Sequence, residues 1–199
     1  MSLLEFQRAL ASLAASPAYC AQAMTDPAGV LEPYDLTERE KTRLAAMARD
    51  RLMATNCTLY RANRLTPIYI YFPMTCRLLG PHLRRELDLF WQAHRRADLQ
   101  YVGESARFCR FLKDRLKAGA LESEYLAEIV DYETASIELR FADREADSMT
   151  RIVRFFHDPQ PLLEALSQPG NFPGNLPRGN YWMVLDAKQD PLEARIYSR

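Results

Sequence analysis

Three histidines and four cysteines are the residues of this chain best suited to ligate a metal or act as nucleophiles. His82 and His94 fall twelve positions apart on one predicted helix. At the helical rise they stand ~18 Å apart, too far to share an ion. His157 precedes Asp158 at the end of a predicted strand, where the pair suits a cap or turn better than a site. Cys20, Cys57, Cys76 and Cys109 show none of the close pairing of a zinc motif or disulfide framework. They read as reduced, mostly buried cysteines of a cytoplasmic protein. The sequence has no glycine-rich phosphate loop, nucleophile elbow or His-x-x-x-His motif. That inventory assigns no catalytic residue and no metal ligand, and argues against catalysis by the chain alone.

Arginine and aromatic residues offer recognition instead. Residues 59–80 join Tyr60, Arg61, Asn63 and Arg64 to an apolar run containing Tyr69, Tyr71, Phe72 and Pro73, closed by Leu78-Leu79-Gly80. Arg61, Arg64, Arg77, Arg84 and Arg85 flank the run, and a planar guanidinium can bind a carboxylate bidentately at an interface. The net charge of zero hides an asymmetry. Residues 49–117 hold 14 Lys/Arg against 6 Asp/Glu, and residues 122–147 hold 2 against 9. Such separation can steer a charged partner, or simply cancel between helix faces.

The elements that must position these residues are mostly helices. At 199 residues, with 48% hydrophobic and 26% charged, the chain can bury a core without staples. It has no apolar run of ~20 residues for a transmembrane helix, and Met1-Ser2-Leu3-Leu4-Glu5 does not read as a secretory signal. Leu3, Phe6, Leu10 and Leu13 predict a first helix ending before Pro17. Thr37-Glu38-Arg39-Glu40 reads as a capping box opening a helix that runs to about Asn63 and stops before Pro67. Thr66-Pro67 then starts a new helix, Pro73 kinks or breaks it, Gly80 caps it and Pro81 opens the next. Further helices follow around Val102–Leu116 and Leu126–Ile137. Past Asp147 the pattern becomes β-rich, with strands at 151–156, 181–185 and 193–197 and a short helix from Pro159 to Leu166. Residues 187–191 are expected to join the last two strands as a hairpin. The expected class is α+β, with a helical domain at 1–147 and a small sheet domain at 148–199.

Leu59-Tyr60-Arg61-Ala62-Asn63, Phe72-Pro73 and Leu78-Leu79-Gly80 together resemble a helical family of accessory proteins. Its members often accompany iron-binding TIM-barrel proteins that modify cysteine-containing peptides. Phe108–Leu112, Leu126–Glu133, Val153–Pro159 and Asn175–Tyr181 extend the resemblance over nearly the whole chain, toward the accessory family of methanobactin biosynthesis. Asp26-Pro27, Tyr34 and Leu36–Glu40 also resemble the small helical subunit of ring-opening aromatic dioxygenases.

The resemblance implies a cytoplasmic heterodimer in which this chain binds no metal and the TIM-barrel partner holds iron. With dioxygen, the pair converts precursor-peptide cysteines to oxazolone and thioamide groups of a copper chelator. On this reading Arg61, Asn63, Arg64, Arg84 and Asn180 are partner-interface residues. Arg151, Val153, Arg154 and Phe155 on one candidate edge strand, 151–156, and Ile196 on another, 193–197, are peptide-binding residues, with the first edge favoured for its two arginines to receive the leader peptide. His157, Arg154 and Asn180 are candidates to approach the partner's reaction centre. The alternatives are a helical nucleic-acid-binding module, supported by the basic stretch, and the dioxygenase subunit.

Overall fold

In the computed structural model the described residues are 3–94, 101–142, 149–168, 170–188 and 193–198. They form an α+β fold of helices α1 (Leu3–Ala15), α2 (Pro17–Thr25), α3 (Pro27–Leu31), α4 (Glu38–Arg49), α5 (Arg51–Tyr71), α6 (Pro73–Leu79), α7 (Leu83–Ala93), α8 (Tyr101–Lys117), α9 (Leu126–Arg140) and α10 (Pro159–Ser167). Strands β1 (Thr150–His157), β2 (Arg178–Asp186) and β3 (Glu193–Ser198) make one antiparallel sheet in the order β1-β2-β3. The expected hairpin loop lies largely outside the described residues.

Local chemistry sets most boundaries. The Thr37 capping box forms: Glu40 N–H donates to Thr37 Oγ1 at 3.3 Å and Thr37 N–H to Glu40 Oε2 at 2.8 Å. The expected helix from Thr37 to Asn63 is nevertheless two helices. Asp50 is extended and accepts the Leu52 N–H at 2.8 Å, so it starts α5 as a turn residue. At its other end α5 passes through Pro67, where a break was expected. The Thr66 hydroxyl donates back to the Ala62 carbonyl at 2.8 Å and does not cap a new helix. An internal proline costs about 3 kcal/mol. Ile68 and Phe72, both fully buried just beyond it, each return roughly 1.5–3 kcal/mol, which is enough to keep the helix whole.

The chain forms two compact units. Residues 1–66 with 91–98 make the first, and residues 67–90 with 99–199 the second. In the first, Leu13, Leu31, Leu44 and Ala48 pack with Cys20 and Cys57. Tyr19 Oη donates to the Val30 carbonyl at 2.6 Å and ties α2 to α3. In the second, Ile129 and Leu139 of α9 share a core with Val153 and Phe155 of β1, Met183 and Leu185 of β2, and Leu162 and Leu166 of α10. The boundary expected at 147/148 therefore falls inside this unit: α9 supplies the apolar layer that the sheet needs, and neither could bury its face without the other.

The motif Phe72-Pro73 marks the α5–α6 break. Phe72 has no side-chain oxygen to cap α6. Glu133 of α9 replaces that cap, accepting Met74 N–H at 2.8 Å and Thr75 N–H at 2.9 Å. Gly80 closes α6 with φ of 46°, a conformation that favours glycine.

Candidate functional site

The sheet's two faces differ because side chains alternate along a strand. On β1, Val153, Phe155 and His157 turn inward and are buried, whereas Ile152, Arg154 and Phe156 turn outward and are exposed. Register places Trp182 and Val184 of β2, and Arg195 and Tyr197 of β3, on the same outer face. Ile152, Phe156 and Tyr197 are 69%, 48% and 51% exposed. The sheet order leaves the outer sides of both β1 and β3 unpaired among the described residues, as expected of the two candidate edges.

A bulge shapes one end of this face. Pairs Phe155↔Tyr181 and His157↔Arg178 enclose one residue on β1, Phe156, and two on β2, Gly179 and Asn180. A Cβ on Gly179 would stand 2.3 Å from the Tyr181 ring, so any larger residue there would have to displace that ring. The extra residue brings Asn180 beside Arg154, whose Nε–H donates to Asn180 Oδ1 at 3.3 Å. The Arg154 guanidinium also lies 4.7 Å over the Phe156 ring. Its Nη1 and Nη2 groups have no partner among the described residues. This arginine is pre-oriented to meet a carboxylate end-on.

The other expected peptide contacts are altered by the fold. Val153 and Phe155 lie in the core under α9, so their side chains cannot touch a ligand and only their backbone remains for recognition. Arg151 pairs with Glu138 of α9 at 3.1 Å, at the rim of an apolar cleft lined by Phe72, Val102, Ile137 and Phe141. Ile196 is exposed on the inner side of β3, opposite Met183.

The expected partner-interface residues also divide. Arg61, Asn63 and Arg64 belong to the first unit, and Arg84 and Asn180 to the second. Arg64 is only 3% exposed: it donates to the His94 carbonyl at 2.8 Å and lies 5.7 Å from the Trp91 ring centre. Its role is structural, as a buried guanidinium must find hydrogen bonds within the fold. Arg61 stacks on the same indole at 5.3 Å. Asn63 and Arg84 are exposed. Arg77 donates to the Leu166 carbonyl and closes the end of α10.

Beneath the sheet lies a group that residue spacing did not assemble. His157 is 2% exposed, with Nδ1 2.8 Å from Glu128 Oε1, Nε2 3.4 Å from Glu124 Oε1, and Tyr125 edge-on at 4.8 Å. Burial holds the Glu128 carboxyl above the usual carboxylate range, against the opposing pull of His157. The cap expected of His157-Asp158 is made by Asp158 alone, which accepts Gln160 N–H at 3.0 Å. Tyr125 Oη in turn donates to Gly174 O at 2.8 Å and accepts Leu176 N–H at 3.1 Å, fixing the loop before β2. His157 thus supports the end of β1 from below and does not face the outer surface. Glu124 and Glu128 sit in a stretch so acidic that sequence alone marks it as solvated; only the pairing with a distant histidine distinguishes them.

All four cysteines are buried and free, and burial pushes their thiols up, Cys76 to about 12. They are poor nucleophiles. Among the described residues no cluster of three His, Cys, Asp or Glu is arranged to hold a metal, and no helix is long and apolar enough to cross a membrane. Comparison of the chain with protein-family models and with curated proteins finds no match.

Proposed function

We propose that this chain is the non-metal subunit of a heterodimeric, iron-dependent oxidase that acts on a cysteine-containing precursor peptide, a protein of the MbnC type from methanobactin biosynthesis. A TIM-barrel partner holds the iron and uses dioxygen as oxidant to form oxazolone and thioamide groups, in the cytoplasm. This chain binds the partner and holds the leader peptide. The identity of the pathway rests on the resemblance of residues 59–80 and of the carboxy-terminal segments. The peptide-holding role is carried by one observation: the sheet offers unpaired strand edges at β1 and β3 among the described residues. A peptide strand added to an open edge gains a ladder of main-chain hydrogen bonds, and alternate side chains set its register.

β1 is the better edge because its outward side chains form a pattern. Ile152 and Phe156 place exposed apolar side chains two residues either side of Arg154 along this edge, which suits a ligand strand with apolar residues at the matching alternate positions. Hydrogen exchange of the full chain with the precursor peptide tests this. Slower exchange at 150–157 is expected; protection at 193–198 moves the peptide to β3, and protection at neither strand overturns edge pairing. For the reaction, co-expression with the barrel protein and the peptide, followed by mass spectrometry, is expected to show a changed peptide mass. Turnover of a catechol with an unchanged peptide overturns the peptide oxidase in favour of the dioxygenase subunit.

A further inference from the structure

The outer face of the sheet carries one aromatic residue on each strand, Phe156, Trp182 and Tyr197, with Ile152 and Val184 beside them. Strands lie ~4.8 Å apart, so these rings spread over ~10 Å, twice the width that one added peptide strand covers. Tryptophan, tyrosine and arginine are the residues most often found at the energetic centre of protein interfaces. An edge-bound peptide extends the sheet sideways and leaves this face open.

We infer that this face is the docking surface for a folded protein partner whose contact area is apolar at its centre and presents an Asp or Glu to Arg154. The inference rests on the heterodimer proposed above and assigns the partner a surface on the sheet, where sequence reading had placed docking mainly on the helical part. Charge complementarity identifies the occupant. Asn180 holds Arg154 through Nε, and Phe156 stacks beneath its plane. Nη1 and Nη2 remain for a carboxylate, with an apolar floor on one side that excludes water and strengthens the pair. Arg195 on the same face is matched by Glu193 at 3.0 Å, so Arg154 is the face's unmatched cation among the described residues.

The chain has two tryptophans, so labelling it with 5-fluorotryptophan gives one fluorine resonance from Trp182 and one from Trp91. The probe is the purified iron-barrel protein. The expected result is a shift or broadening of the Trp182 resonance on its addition. Arg154→Glu and Tyr197→Asp are each expected to weaken binding by about tenfold or more, while their circular dichroism and melting match wild type. Arg154→Gln, which preserves size without charge, is expected to fall between. A Trp182 resonance that moves with chain concentration alone gives the face to a second copy, and one that moves with the precursor peptide alone gives it to the peptide; either overturns the inference. Wild-type binding that survives both substitutions with Trp182 unmoved overturns the docking face and leaves the heterodimer standing. A wild-type chain that does not bind the barrel overturns both.

Discussion

The 59–80 block and the outer face of the sheet are built from the same residue types, arginine set among aromatic rings, yet they do opposite things with them. In the block, Arg64 is enclosed, stacked near Trp91 and bonded to a backbone carbonyl. On the sheet, Arg154 is likewise stacked and likewise bonded, but it is exposed and its terminal nitrogens face outward. Stacking on a ring therefore does not separate a structural arginine from a recognition arginine. The destination of the guanidinium donors does. A donor bonded inside the fold contributes stability; one left at the surface is available for binding, where exposed charge adds little to stability.

The widest gap between the regions is expected at phenylalanine. Phe72→Ala removes a fully buried ring and is expected to lower unfolding free energy by about 3–5 kcal/mol in urea titration, whereas Phe156→Ala should cost no more than about 1 kcal/mol. Equal losses would break the comparison. Arginine comes next. Arg64→Ala leaves the His94 carbonyl without this donor and is expected to cost about 1–3 kcal/mol, against less than about 0.5 kcal/mol for Arg154→Ala.

A third contrast concerns pH and the carboxylate that caps the block's second helix. Burial pushes the Glu133 carboxyl up to about 7, while an unfolded glutamate ionises near ~4.3. The folded state therefore holds the proton more tightly. The stability this provides is complete below pH ~4.3 and declines as pH rises through about 7. Glu133→Gln is expected to flatten that decline in melting experiments between those limits, and an unchanged slope would assign it to another group. Glu128 shares the direction of shift, so a residual slope would point to the His157 cluster.

Much of this architecture was legible from local grammar. The Thr37 box, the Phe72-Pro73 break, the Gly80 stop, the three strands and the helix starting at Pro159 all follow from caps, prolines and period-two alternation. What local grammar misread was decided over distance. Pro67 stays within α5 because residues beyond it are buried, a fact no window around Thr66-Pro67 contains. Glu133 looks like one more acid on an acidic helix until α6 presents bare amides to it. Arg154 and Asn180 are both candidates from the sequence, one for the peptide, one for the partner and both for the reaction centre, but a bulge that no pattern announces makes them a hydrogen-bonded pair. Val153 and Phe155 read as ligand contacts because the strand and α9 are each legible locally while the packing of one on the other is not.

The bulge at Gly179–Asn180 also acts as a parity device. Upstream of it the chain arrives through a loop anchored to the Tyr125 hydroxyl; downstream every second residue must enter the core. One added residue reconciles these two constraints and rotates the polar end of β2 by a half-period while Tyr181, Met183 and Leu185 keep their inward positions. Insertions before the loop's anchor are expected to leave the strand's parity unchanged, whereas a single residue gained or lost after it exchanges inside for outside. Changes in length in this stretch thus divide sharply by position, and it is strand counting, more than side-chain chemistry, that preserves the face.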